Sequence, residues 1–295
     1  MTLLHAKAFL KIGLVAIAPT LLISAPETSN NDDEPAIVGI DTVRLAPGDF
    51  SYRVAGEFSR GGMPVNAPFV RLRQALPLVI MKAQVSEAEF DRCVHDAACK
   101  PTGQRGAPRP NVPVTTVSWE DATAYAQWLS AKTGDLWRLP SDEEWVFAAG
   151  SRAQDDAVEV PTAGFSDRWL ARYEKESARE RAAGNLPRIA GSFGANEQGL
   201  LDMGGNVWEW TDSCYTRQNI DEQDRRIDIP SVNCGVRVVE GSHRTYITNF
   251  IRDARGGGCA VGTPPDNLGF RLVRDERPWI GRVVWRAWKW LGRIA

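Results

Sequence analysis

The stretch "VSWEDATAYAQWLSAKTGDLWRLPSDEEWVFAAG", residues 117–150, constrains the fold more than any other. It marks the starts of two helices in close succession. Ser118 stands three residues before Asp121, and Ala122, Tyr125, Ala126 and Leu129 follow as an apolar stripe. Ser141 stands three residues before Glu144, Trp145 and Ala148 follow, and Gly150 closes the helix. Ser86 and Glu89, ahead of Phe90, Cys93 and Val94, repeat the arrangement. In each, the serine hydroxyl can accept from an early backbone N–H, and the later acid can accept from the serine's own N–H. These acids therefore read as caps and not as general acids.

Short capped helices are only part of such a chain. "TVRLAPGDFSYRVAG" and "FVRLRQALPLVIMKAQV" alternate apolar and polar residues, as half-buried strands do. With 26 glycines, 18 prolines and 11 tryptophans, the composition indicates a loop-rich α+β fold pinned by large aromatic anchors, not a helix bundle. Residues 151–195 are the least patterned; within them "DRWLARYEKESARERAAG" alternates charge and predicts an exposed helix. From Asn196 onward turns dominate. A formal net charge of −2 over 295 residues gives no electrostatic case for nucleic acid.

The five cysteines form no C-x-x-C, which argues against a zinc ribbon or a thioredoxin-type site. Cys93 and Cys99 are close in sequence, and Cys214 and Cys234 bracket a polar loop. Both pairs are disulfide candidates in an oxidising compartment, with Cys259 left over. The N-terminus bears on that compartment. Lys7 and Lys11 precede an apolar run from Ile12 to Ile23, then small and acidic residues. About a dozen apolar residues suit a signal-peptide core better than a full membrane span. Pro26 directly after Ala25 makes the cleavage site imperfect, so an uncleaved anchor or a buried helix stays open. The expected organisation is a signal or anchor plus linker over 1–35, a single domain over 36–276, and a tail over 277–295.

Four strings follow one another in the domain: "RLPSDEEW", "GGNVWEW", "RVVEGS" and "PPDNLGFRLVR". In that order the chain resembles the sulfatase-modifying-factor family, formylglycine-generating enzyme and its bacterial relatives, over roughly residues 42–275. The resemblance implies an irregular, loop-rich fold of the modified C-type-lectin kind with calcium in its loops. The residues make independent sense of that. Gly204 and Gly205 permit a tight turn. Asn206, Glu209 and the Val207 carbonyl are hard oxygen donors suited to calcium, though Asn206 can equally pin a turn and Glu209 pair with an arginine. No matching pattern for the family's other calcium site is found over 155–195. Trp208 and Trp210 share one side of a strand and can anchor it. Arg138 and Arg271, set in apolar strings, read as buried structural pairs.

The family's chemistry fits less well. Formylglycine-generating enzyme holds copper with two cysteines five residues apart, just after the string that here reads Glu240-Gly241-Ser242. His243, Arg244, Thr245, Tyr246, Ile247, Thr248, Asn249 and Phe250 follow, with no cysteine among them. Cu(I) selects soft thiolates, so copper-dependent formylglycine formation is not expected. Relatives in ergothioneine biosynthesis hold iron with three histidines. This chain has only His5, His95 and His243, and they cannot be expected to converge.

What remains is a candidate polar pocket. His243 would serve as base or ligand, Cys259 as a reactive thiol, and Arg252, with Arg244, Asp253 and Arg255, as an anion site. Gly256, Gly257 and Gly258 would allow close backbone approach. The alternative is that the His243 ring fills an aromatic slot. "VVEGSHRT" through "GFRLVR", together with "LAPGDFSYRVAGEF", is similar to an exported branch of the family, the NirV-type proteins associated with copper nitrite reductase. That resemblance implies an accessory or maturation role beside a periplasmic copper enzyme. An oxidoreductase centred on His243 and Cys259, or a lectin-like binding module, are the competing readings. In the tail, Arg282, Arg286, Lys289 and Arg293 share one helical face beside Trp288 and Leu291. This is the composition of a helix lying on a membrane surface or docking on a partner.

Overall fold

In the computed structural model, residues 39–103, 106–157, 167, 170–171, 173–174, 186–253 and 267–277 are described. The N-terminal segment, Arg255, the triple glycine, Cys259 and the tail lie outside them. No helix among the described residues is long and apolar enough to cross a membrane.

The three capping boxes form as the sequence predicts. Helices α1 (Glu87–His95), α2 (Trp119–Thr133) and α3 (Asp142–Ala149) begin after Ser86, Ser118 and Ser141, and each box makes both of its reciprocal bonds. At Ser118, for example, the hydroxyl accepts from Asp121 N at 3.1 Å and Asp121 Oδ2 accepts from Ser118 N at 2.9 Å. Helix α2 stops at Gly134, whose φ of 74° is left-handed and therefore suits glycine. The expected exposed helix is helical at its described positions 167, 170–171 and 173–174, and Leu170 and Tyr173 there are exposed.

Three sheets surround these helices. Strands β1 (Thr42–Leu45), β6 (Leu78–Met81), β12 (Val273–Arg274) and β7 (Trp137–Arg138) form a four-stranded antiparallel sheet in the order β1-β6-β12-β7. Strands β2 (Gly48–Arg53) and β5 (Phe69–Gln74) pair as a separate ribbon. The third sheet runs β10 (Thr245–Thr248), β9 (Ser231–Glu240), β8 (Trp208–Asn219), β3 (Glu57–Arg60) and β4 (Met63–Val65), with β11 (Leu268–Gly269) parallel to β8.

Strand β6 departs from the predicted alternation. All four of its residues are buried, because it lies between β1 and β12 with apolar side chains packed around it. On one side, Trp145, Phe147 and Ala148 of α3 pack with Leu45, Leu78, Ile80, Leu200, Met203 and Val273. Elsewhere Phe90 of α1, Tyr125 of α2 and Phe270 pack ring against ring at 5.4–6.3 Å between centroids. Both predicted disulfides form, Cys93–Cys99 and Cys214–Cys234. The first closes the end of α1 and the second links β8 to β9.

Removing a cap should be felt locally. Ser118→Ala is expected to lower stability by about 1 kcal/mol. In a domain of this size that should appear as a fall of about 2–4 °C in thermal midpoint, with the far-ultraviolet dichroism retained.

Candidate functional site

The chain from Asn267 to Arg274 takes part in two sheets. Strand β11 pairs with β8, and β12 pairs with β6 and β7. Arg271 lies between them, completely buried. Its Nε donates to Glu209 Oε2 at 2.6 Å and its Nη2 to Glu209 Oε1 at 2.7 Å, a bidentate pair. The guanidinium also donates to the carbonyls of Leu201, Lys82 and Met81. Gln84 Nε2 reaches Glu209 Oε1 at 2.8 Å and Trp145 Nε1 reaches Oε2 at 2.8 Å. Four donor groups, two of them on the Arg271 cation, thus surround one carboxylate.

The expected calcium set must be read against this geometry. Glu209 is the counter-ion of Arg271, and protein donors occupy both its oxygens. Asn206 Oδ1 accepts from Arg188 N at 2.9 Å, and its Nδ2 donates to Arg188 O at 3.0 Å and Asp202 Oδ2 at 3.2 Å. Val207 is buried beneath the turn. Asn206 thus ties its turn to Arg188, and Glu209 ties the two sheets together through Arg271. No cluster of three or more His, Cys, Asp or Glu able to hold a metal occurs among the described residues. Arg138 is structural too, as expected. It grips Glu144 through two 2.6 Å bonds while Glu144 Oε2 also caps Ser141 N at 2.8 Å.

Of the candidate pocket, His243, Arg244, Arg252 and Asp253 are described, while Arg255 and Cys259 lie outside the described residues. The imidazole is 5% exposed and stands edge-on to Trp208 at 5.8 Å between centroids, with Ser242 Oγ 3.3 Å from Nδ1. Gly241 makes this possible, since a Cβ there would lie 2.5 Å from the Trp208 ring. The arginines turn elsewhere. Arg252 Nη2 donates to Asp121 Oδ1 at 2.6 Å and its Nη1 to Pro101 O at 2.8 Å. Arg244 is buried on Glu240 and Asp142. The two arginines are thus committed to carboxylates on different elements, and Asp253 is half-buried. Arg244 and Arg252 therefore do not converge.

Sequence reasoning missed the cluster in which Arg244 sits. Arg244 Nε donates to Glu240 Oε1 at 2.6 Å, its Nη2 lies 3.2 Å from Asp142 Oδ2, and its Nη1 donates to Arg53 O at 2.7 Å. The Tyr52 hydroxyl donates to Asp142 Oδ2. Asp142 and Glu240 are 1% and 0% exposed. Asp142 Oδ1 and Glu240 Oε2 have no donor, although the two side chains are hydrogen-bonding neighbours. A proton on Glu240 would supply the missing donor. Burial, with the Asp142 carboxylate beside it, pushes Glu240 well above the usual carboxylate range despite the pull of Arg244. The only hint in the sequence is that Glu240 directly follows the apolar pair Val238-Val239.

The chain matches the sulfatase-modifying factor enzyme 1-like domain over residues 28–276, and it belongs to that family. It is 31% identical to formylglycine-generating enzyme of Streptomyces coelicolor over 188 residues, 60% of this chain and 57% of that protein. It is 34% identical to formylglycine-generating enzyme of Mycobacterium tuberculosis over 191 residues, 57% and 59% of the two chains. It is 30% identical to inactive Cα-formylglycine-generating enzyme 2 of Mus musculus over 173 residues, 55% and 49%. The chain thus spans about half the length of these curated relatives. Among solved structures, PvdO from Pseudomonas aeruginosa superposes with a TM-score of 0.51 at 20% identity, over 79% of this chain and 94% of that one. That likeness concerns the fold.

Two outcomes follow from the buried charges. Arg271→Met leaves Glu209 buried without its cation and should cost about 3–5 kcal/mol in denaturant unfolding. Glu240 holds its proton more tightly when folded than its ordinary value of 4.5 allows. Above that value the folded chain therefore carries more protons than the unfolded one, and stability falls as pH rises until Glu240 ionises. Glu240→Gln, which keeps a neutral donor, should flatten the decline in thermal midpoint as pH rises above about 5. An unchanged slope would place the proton elsewhere.

Proposed function

We propose that this protein keeps the formylglycine-generating-enzyme fold without its copper chemistry, and works as an exported accessory protein supporting a periplasmic copper nitrite reductase. One observation carries the first part. Of five cysteines, four are closed in two disulfides, which leaves one sulfur for a site that needs two thiolates. Residues 243–250, after the Glu240-Gly241-Ser242 string, contain none. The likeness to an inactive mouse member of the family is consistent with this loss.

The second part rests on the resemblance to NirV-type proteins and on the disulfides. Disulfides persist in oxidising compartments such as the periplasm, and the apolar run at 12–23 suits export. The His243 ring buried against Trp208 supports a binding or maturation role over an oxidoreductase centred on that histidine. Function here lies in surfaces and partners, because the fold alone specifies no chemistry.

Two measurements test the reading. The purified protein, supplied with Cu(I), oxygen and a cysteine-containing sulfatase peptide, should form no aldehyde; aldehyde formation would overturn the first part. A deletion strain should show reduced activity or copper content of its nitrite reductase. Wild-type activity and copper content there would overturn the second.

A further inference from the structure

The two disulfides sit in unlike surroundings. Cys93 and Cys99 are 0% and 7% exposed, shut behind the end of α1. Cys214 and Cys234 are half-buried, and Cys234 lies between the exposed Asn233 and Gly235 on the outer half of β9. The ladder between β8 and β9 is irregular here, with register shifts on either side of Cys214.

A cation stands against one sulfur of this pair and is held there. Arg237, 3% exposed, is opposite Cys214 in the ladder. Its Nη1 donates to Cys214 Sγ at 3.5 Å and to Asp212 O at 2.8 Å, with Asp212 Oδ1 at 3.4 Å. The guanidinium lies on the Trp119 ring, 3.8 Å from its centroid. Water is largely excluded from this charge, so it acts on the sulfur with little screening. A neighbouring arginine lowers a thiol's pKa, and the lower that pKa, the faster the sulfur leaves a disulfide.

We propose that Cys214–Cys234 is an exchange-active disulfide, opened by an external thiolate that attacks Cys234 and expels Cys214 as a thiolate beside Arg237. In the first step the thiolate sulfur bonds to Cys234 Sγ, the bond between Cys234 and Cys214 breaks, and its electron pair stays on Cys214. A second thiolate then attacks the external sulfur of the mixed disulfide and releases Cys234. The two external thiolates are oxidised to one disulfide, and the protein disulfide is reduced to two thiolates. The co-reactant is a small thiol or the dithiol of a partner protein. Cys93–Cys99 stays a structural staple. The proposal does not rest on the nitrite reductase assignment.

Reduced glutathione is the probe, applied to the full chain under native conditions after existing thiols are blocked by alkylation. Samples are quenched with a second alkylating reagent and mapped by mass spectrometry. Cys214–Cys234 is expected to open while Cys93–Cys99 remains closed, with glutathione trapped on Cys234 and the reagent on Cys214. Arg237→Gln should slow opening by about 3- to 10-fold, and Arg237→Lys, which keeps the charge, should restore most of the rate. Both disulfides opening together, glutathione found on Cys214, or equal rates in wild type and Arg237→Gln would each overturn the proposal. Should Arg237→Gln fail to fold, the site of the mixed disulfide in wild type and the rate in Arg237→Lys still decide.

Discussion

The buried pair of Arg271 and Glu209 is the constraint on which the rest of the structure depends. Arg271 sits where one short segment passes from pairing with β8 to pairing with β6 and β7. Its guanidinium binds the carboxylate of β8, the end of β6 and the loop at Leu201. Trp145 of α3 and Gln84 complete the carboxylate's shell. A charge pair this deep gains little net stability, because desolvation offsets most of the attraction. What it provides is direction: hydrogen bonds to named groups on several elements leave few ways to arrange two small sheets and a short helix.

The same economy explains why the family's site can change while its frame persists. The strings shared with the family, "RLPSDEEW", "GNVWEW" and "GFR", supply caps, anchors and buried pairs. None of these groups is spent on oxidation chemistry. The segment after Ser242 is free of that duty. Here it carries a histidine packed on Trp208 and an arginine turned inward onto Glu240 and Asp142.

Legibility in the sequence followed the range of the interaction. Ser118 and Asp121 are three residues apart and bond each other whatever the remainder of the chain does, so the helix starts could be read directly. Arg138 and Glu144 are almost as local. The partners of Glu209 were not legible, because Gln84, Trp145 and Arg271 come from three distant stretches and a carboxylate after an asparagine looks equally like a cation ligand. His243, Arg244 and Arg252 are neighbours in sequence, which suggested one pocket. On either side of β10, His243 packs on Trp208 while Arg244 and Arg252 turn to different carboxylates, and nearness in sequence is no guide to convergence.

The sequence by itself determined the α+β class, the three capped helices and the lack of any cysteine between His243 and Phe250. Each depends on contacts a few residues apart or on simple counting. Only the tertiary structure decided that Glu209 answers to Arg271, that Glu240 is buried beside Asp142, and that Arg237 lies against Cys214. Those facts turn on which of several polar groups meet in a low-dielectric interior. Burial forces every such group to find a partner, but the partner is chosen by how the sheets come together.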